Sequence, residues 1–191
     1  MEPLSQPAFP PGRLYRLAWV FYLALALGGG FWLALRQGVL PLRLFIDVHG
    51  WWIDLGLGAA AGSLLLALWQ LALARLPGAR ELEAHLERVL TGLSHSEALG
   101  LAVISGFAEE VFFRGAVQSA AGWLAASLLF ALLHSGPGPS FRLWTLFAAL
   151  AGGIFGALMA WRGNLLAPMV AHVLVNAVNL RRLAGRVAEV C

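Results

Sequence analysis

Six apolar stretches, most of them about as long as a lipid bilayer is thick, account for most of this chain. A hydrocarbon core of about 30 Å takes roughly 20 helical residues at about 1.5 Å each. Stretches near that length run from Leu14 to Leu35, Trp51 to Leu76, Ser96 to Gln118, Ser119 to His134, Phe141 to Trp161 and Asn164 to Leu180, separated by Arg, Pro or Gly. The fourth and sixth are short, which implies local thinning of the bilayer or slack boundaries. At 60% hydrophobic residues, 12% charged residues and a mean hydropathy of +0.76, the chain is too apolar for a water-soluble domain of 191 residues. Within lipid the backbone amides must be paired inside helices or a closed barrel. The expected fold is therefore all-α: a polytopic membrane helix bundle of about six transmembrane helices.

Between the second and third stretches, Ala79 to Leu93 places Leu82, Leu86, Val89, Leu90 and Leu93 on one face, with Arg80, Glu81, Glu83, Glu87 and Arg88 largely elsewhere. That pattern predicts one interfacial amphipathic helix. Three regions are expected: 1–95 with anchoring helices and the interfacial helix, 96–180 with a helical core, and 181–191 as a short basic tail. Leu14 onward is apolar for too long to be a cleaved leader, so the first segment is expected to stay as an anchor.

All 13 basic residues are arginines. Nine of them (13, 16, 75, 80, 88, 142, 181, 182, 186) fall at one set of segment ends and three (36, 43, 162) at the other, which predicts cytoplasmic termini. An integral protein of the plasma (inner) membrane is expected. Arginine at segment ends, rather than along one face, gives no nucleic-acid signal. The only cysteine is Cys191, which excludes an internal disulfide and a cysteine-rich metal site. Gly58-x-x-x-Gly62 and Gly152-x-x-x-Gly156 suit close helix approach.

Against this background Glu109-Glu110-Val-Phe-Phe-Arg114 sets three ionisable groups inside an apolar helix. An ionised Asp, Lys or Arg at a helix centre costs roughly 2.5–3.5 kcal/mol on insertion scales, so such groups persist where partners or trapped water stabilise them. At about 100° per residue, Arg114 lies about 40° from Glu110 and about 140° from Glu109. Glu110 and Arg114 are expected to pair in support of the site, which leaves Glu109 available to water as a general base. His134 ends an apolar run just before Ser135-Gly136-Pro137-Gly138-Pro139, which must break the helix. It is positioned either to share a water with Glu109 or to cap its own helix. His172 and Asn176, at i and i+4, share a helical face. Such a pair serves either as helix glue or as two donors for an oxyanion, where each donor is worth about 2.7–4 kcal/mol. Asp47, His49 and Asp54 beside Trp51 and Trp52 read as interfacial anchors. Glu97 and His95 read as an ordinary helix start, and Asn179 as an ordinary polar residue.

Taken in order, Glu-Glu-x-x-x-Arg at 109–114, Phe-x-x-x-His at 130–134 and His-x-x-x-Asn at 172–176 resemble the three motifs of the CAAX prenyl protease and bacteriocin-processing family. The resemblance spans roughly Ser96 to Leu180. It implies an intramembrane endopeptidase in which Glu109 and His134 activate water, His172 and Asn176 stabilise the oxyanion, and Glu110 and Arg114 support the site. The implied partners are membrane lipid and a peptide or protein substrate, membrane-bound or lipidated. No cofactor is expected. Two alternatives stay open: a zinc metalloprotease with His134, His172 and Glu109 as ligands, and a non-catalytic membrane scaffold or bacteriocin self-immunity protein.

Overall fold

A computed structural model describes residues 12–38 and 42–188, with side chains to residue 184 in the last helix. Every element among the described residues is helical. Helix α1 covers Arg13–Gln37, α2 Trp51–Arg75, α3 Pro77–Leu90, α4 His95–Glu109, α5 Gln118–Ala121, α6 Trp123–Leu133, α7 Pro139–Arg162 and α8 Leu166–Ala188. A short 3-10 turn, Leu42–Leu44, follows α1. Between α4 and α5 the helix continues as a π segment, Glu110–Val117. All six apolar stretches of the sequence are thus helical. Of the basic tail at 181–191, the side chains of 185–188, Arg186 included, and the whole of 189–191 lie outside the described residues.

Among the described residues three helices are both long and apolar enough to cross a membrane: α1, α2 and α7. The fourth stretch differs from its expected extent. Gly122, at φ +87°, breaks it, and α6 is left with 11 residues. At 1.5 Å per residue that is about 16 Å, roughly half a bilayer core. The start of α4 is fixed by a capping box, in which the Ser94 hydroxyl accepts from Glu97 N at 3.2 Å and Glu97 Oε2 accepts from Ser94 N at 2.9 Å.

Small residues bring α8 into the centre of the bundle. A Cβ on Gly58 of α2 would lie 2.5 Å from the Ala167 carbonyl oxygen, and one on Gly106 of α4 would lie 2.6 Å from Val173 Cγ2. The α8 backbone therefore sits directly against both helices. A core of Leu65, Ala151, Phe155, Leu158, Ala167, Ala171 and Val175 joins α2, α7 and α8. Leucines on the outside of α1 and α6, such as Leu27, Leu124 and Leu128, stay exposed, as a lipid-facing surface requires.

The amphipathic helix α3 packs its apolar face on the bundle, with Ala79 and Leu82 fully buried beside Trp69 and near Phe141, Trp144 and Phe147. One of its charges departs from the expected pattern. Glu83 is buried and bonded to Arg182, which ties α3 to α8.

Candidate active site

Helix lengths set the level at which the polar residues meet. Glu109 precedes the Gly122 turn by 13 residues and His134 follows it by 12, so the two arms of this hairpin return them to nearly one depth. His134 is the C-cap of the short helix α6. Its Nε2 stands 3.7 Å from Glu109 Oε2. From α8, His172 Nε2 stands 3.9 Å from the same oxygen. Glu109 Oε2 is buried and has no hydrogen-bond partner among the described residues.

The other ring nitrogens fix both tautomers. His134 Nδ1 lies 2.7 Å from the Phe130 carbonyl oxygen, which can only accept, so Nδ1 carries the proton. His172 Nδ1 lies 2.8 Å from Glu110 Oε1 and donates to that carboxylate. In the neutral rings both Nε2 atoms therefore present lone pairs toward Glu109. Aromatic neighbours hold the rings in place. Phe155 stacks on His172 at 5.1 Å, and Phe130 lies 4.2 Å from the centre of His134.

Glu110 and Arg114 form the expected ion pair, at 3.2 Å, with both side chains essentially unexposed. Arg114 also donates to the Gly152 carbonyl at 3.2 Å. Its guanidinium lies over the rings of Phe130 and Phe155, at 4.5 and 5.3 Å. The helix here is not the regular α-helix assumed from the sequence. The π segment begins at Glu110, and its wider turn carries the pair. Glu110 thereby serves two partners, Arg114 and His172, and joins the first motif to the third.

Asn176 lies one turn beyond His172 and donates through Nδ2 to Ser105 Oγ at 3.0 Å. Its second amide hydrogen is left for another acceptor. Glu109, His134, His172 and Asn176 all line one cavity of about 370 Å³. Its wall is otherwise largely apolar, with Trp69, Leu86, Leu101, Trp144 and Phe147, and α3 and the Glu83–Arg182 pair also line it. Among the described residues no group of three or more His, Cys, Asp or Glu side chains is arranged to hold a metal ion.

Four placements depart from the sequence reading. Asp54 is not an interfacial anchor: it is fully buried, bonded by Arg162 Nε and, at 2.9 Å, by Asn164 Nδ2. An acid one turn into a span finds these partners only because the loop between α7 and α8 folds beneath it. Asn179 lines the cavity, with its Oδ1 buried and, among the described residues, without a partner. Tyr22 of α1 belongs to none of the three motifs, yet it lines the cavity with its phenol near the Glu109 carboxyl. Ser105 was also passed over. Both carried a readable signal: a hydroxyl within an apolar stretch needs a partner, and Ser105 stands one turn before Glu109 on the same face.

Residues 91–178 match the family model described as type II CAAX prenyl endopeptidase Rce1-like. The match covers just under half of the chain, which is similar to that family over this segment. The uncharacterized protein YpbD of Bacillus subtilis (strain 168) is 36% identical over 97 residues, which cover 48% of this chain and 48% of that protein. The chain thus spans about half the length of this curated relative. No solved structure matches it. The Rce1-like segment contains Glu109, Glu110, Arg114, His134, His172 and Asn176. Tyr22, Asp54 and α3 fall outside it.

Proposed function

We propose that this integral membrane protein is an intramembrane endopeptidase that hydrolyses a peptide bond with water activated by Glu109 and His134. The observation that carries this reading is the unpartnered Glu109 Oε2 facing two imidazole Nε2 atoms at 3.7 and 3.9 Å. These gaps are too wide for direct hydrogen bonds and suit a bridging water. The water donates to Glu109 and to His134, which leaves an oxygen lone pair for attack on the carbonyl carbon.

Charge balance assigns His172 its part. Arg114 neutralises Glu110, so Glu109 has no buried cation of its own unless one proton is shared with the imidazoles. Carried on His172, that proton makes Nε2–H a donor, and the Glu110 carboxylate at Nδ1 stabilises the imidazolium. As water adds to the carbonyl, its proton passes to Glu109. The resulting oxyanion accepts hydrogen bonds from His172 Nε2–H and from the free Asn176 Nδ2–H. The C–N bond then breaks as Glu109 returns the proton to the leaving amine nitrogen. No step needs a metal ion.

The substrate is a peptide or protein, membrane-bound or lipidated, which enters from the arginine-rich end. That end is cytoplasmic in our reading, with both termini on the same side of the plasma membrane. The deciding experiment is quantitative membrane peptidomics on cells carrying wild type or Glu109→Gln. Peptides present with wild type and absent with the equally expressed variant are expected. Identical peptide profiles would leave the scaffold or immunity reading in its place.

A further inference from the structure

A carboxylate at the end of a flexible side chain needs something to stop it turning. Nothing in the three motifs does this for Glu109: His134 and His172 reach it only across gaps of 3.7 and 3.9 Å, and Arg114 is bonded to Glu110. His134 Nε2 is an acceptor, because its Nδ1–H is committed to Phe130 O, and His172 Nε2, even as a donor, lies 3.9 Å away, beyond direct hydrogen-bond reach. Asn176 is tethered to Ser105. A direct donor to Glu109 must come from elsewhere.

It comes from α1. Tyr22 lines the same cavity as Glu109, and its phenol lies near enough to that carboxyl to interact with it, while among the described residues Oε2 remains without a partner. Tyr22 faces the cavity, whereas its neighbours Val20, Phe21 and Leu23 are exposed on the lipid side of the same helix. Close packing holds this helix against the π segment, since a Cβ on Gly29 would lie 2.9 Å from Phe112 Cα. The phenol is thus presented by a helix outside the matched segment 91–178.

We propose that Tyr22 is a positioning residue of the hydrolytic site, its hydroxyl clamping one Glu109 oxygen so that Oε2 is left facing His134, His172 and the attacking water. The inference rests on the reading of Glu109 as the base. A hydrogen bond to the ionised carboxylate favours that form, so its loss makes the base harder to ionise. A Tyr22 that only filled space would have no such effect.

The test uses the purified full-length chain with Tyr22→Phe and Glu109→Gln. The probes are a quenched peptide ending in a prenylated cysteine and three further residues, and a hydrophobic carbodiimide, which reacts with protonated carboxyls and is located on Glu109 by mass spectrometry. For Tyr22→Phe we expect kcat to fall at least tenfold with KM unchanged, the acid limb of the pH–rate profile to move to higher pH, and Glu109 to label faster. A ring-fluorinated tyrosine at position 22, a stronger donor of the same shape, is expected to move that limb the other way. Unchanged kcat, limb and labelling in Tyr22→Phe, with Glu109→Gln inactive, would overturn the role of Tyr22 alone. Retained cleavage by Glu109→Gln would overturn the base assignment and this inference with it. If wild type leaves the peptide uncut, labelling decides, and equal rates overturn the clamp.

Discussion

The guanidinium carbon of Arg114 lies 4.5 Å above the centre of the Phe130 ring, one helical turn before His134 on the same helix. The cation is therefore bound both to the carboxylate that orients His172 and to the helix that ends in His134. Removing it leaves Glu110 with His172 alone in an apolar interior and empties the slot between Phe130 and Phe155. Arg114→Ala is expected to cost about 3–5 kcal/mol of stability, by analogy with other broken buried ion pairs. Thermal unfolding in detergent measures this, and a wild-type transition would refute the pairing role. Arg114→Lys should recover only part of the loss, because an ammonium cannot stack as a guanidinium does.

Gly106 sets the distance between α4 and α8. An added Cβ would approach Val173 Cγ2 to 2.6 Å and Val173 N to 3.1 Å, so the α8 backbone must move away. Gly106→Ala is expected to destabilise by about 1–3 kcal/mol and to loosen the Asn176–Ser105 bond, with at least a tenfold fall in cleavage. Gly28, where an added Cβ meets nothing within 4 Å, is the control. Equal behaviour of the two alanine variants in unfolding and peptidase assays would contradict this account.

At the opposite end of the bundle, Asp54 gathers Arg162 and Asn164 beneath α2. Asn164 Oδ1 in turn accepts from Leu166 N at 2.9 Å, which starts α8. Asp54→Ala should cost about 3 kcal/mol, toward the lower end for a broken pair because Arg162 retains some access to water. Specific activity of the folded fraction should be unaffected. Denaturant titration followed by activity per folded molecule tests both halves of the statement.

The zinc alternative makes an opposite forecast about chelators. With Glu109 and His134 acting on water directly, o-phenanthroline and EDTA should leave the rate unchanged, and elemental analysis should find metal far below one ion per chain. Loss of activity on chelation, restored by zinc, would make His134, His172 and Glu109 ligands instead.

Much of the fold was legible because lipid imposes length and polarity together. Each of the six apolar stretches is helical, and the spacing of Leu82, Leu86 and Leu90 identified the amphipathic helix. The Glu110–Arg114 pairing was also legible, since ions buried four residues apart on one helix have few other options. What escaped were contacts fixed by tertiary packing. Nothing local to Tyr22 names Glu109 as its partner, and Asp54 and Arg162 are 108 residues apart in sequence. The π segment was invisible for a related reason: propensity describes residues, whereas this widened turn reflects what the surrounding rings and carboxylates accept. The shortness of α6 could have been read from Gly122, but a lone glycine within an apolar stretch is commonly tolerated in membrane helices.

A π turn holds one residue more than the α turn it replaces. Wound instead as an ordinary α-helix, the same residues would turn everything downstream by about one residue, roughly 100°, relative to Glu109. Arg114 would then miss its slot although every side chain named above was still encoded. Winding is thus a constraint of its own in this molecule, and a homologous chain shorter by one position there would reach the same constellation only through a regular helix.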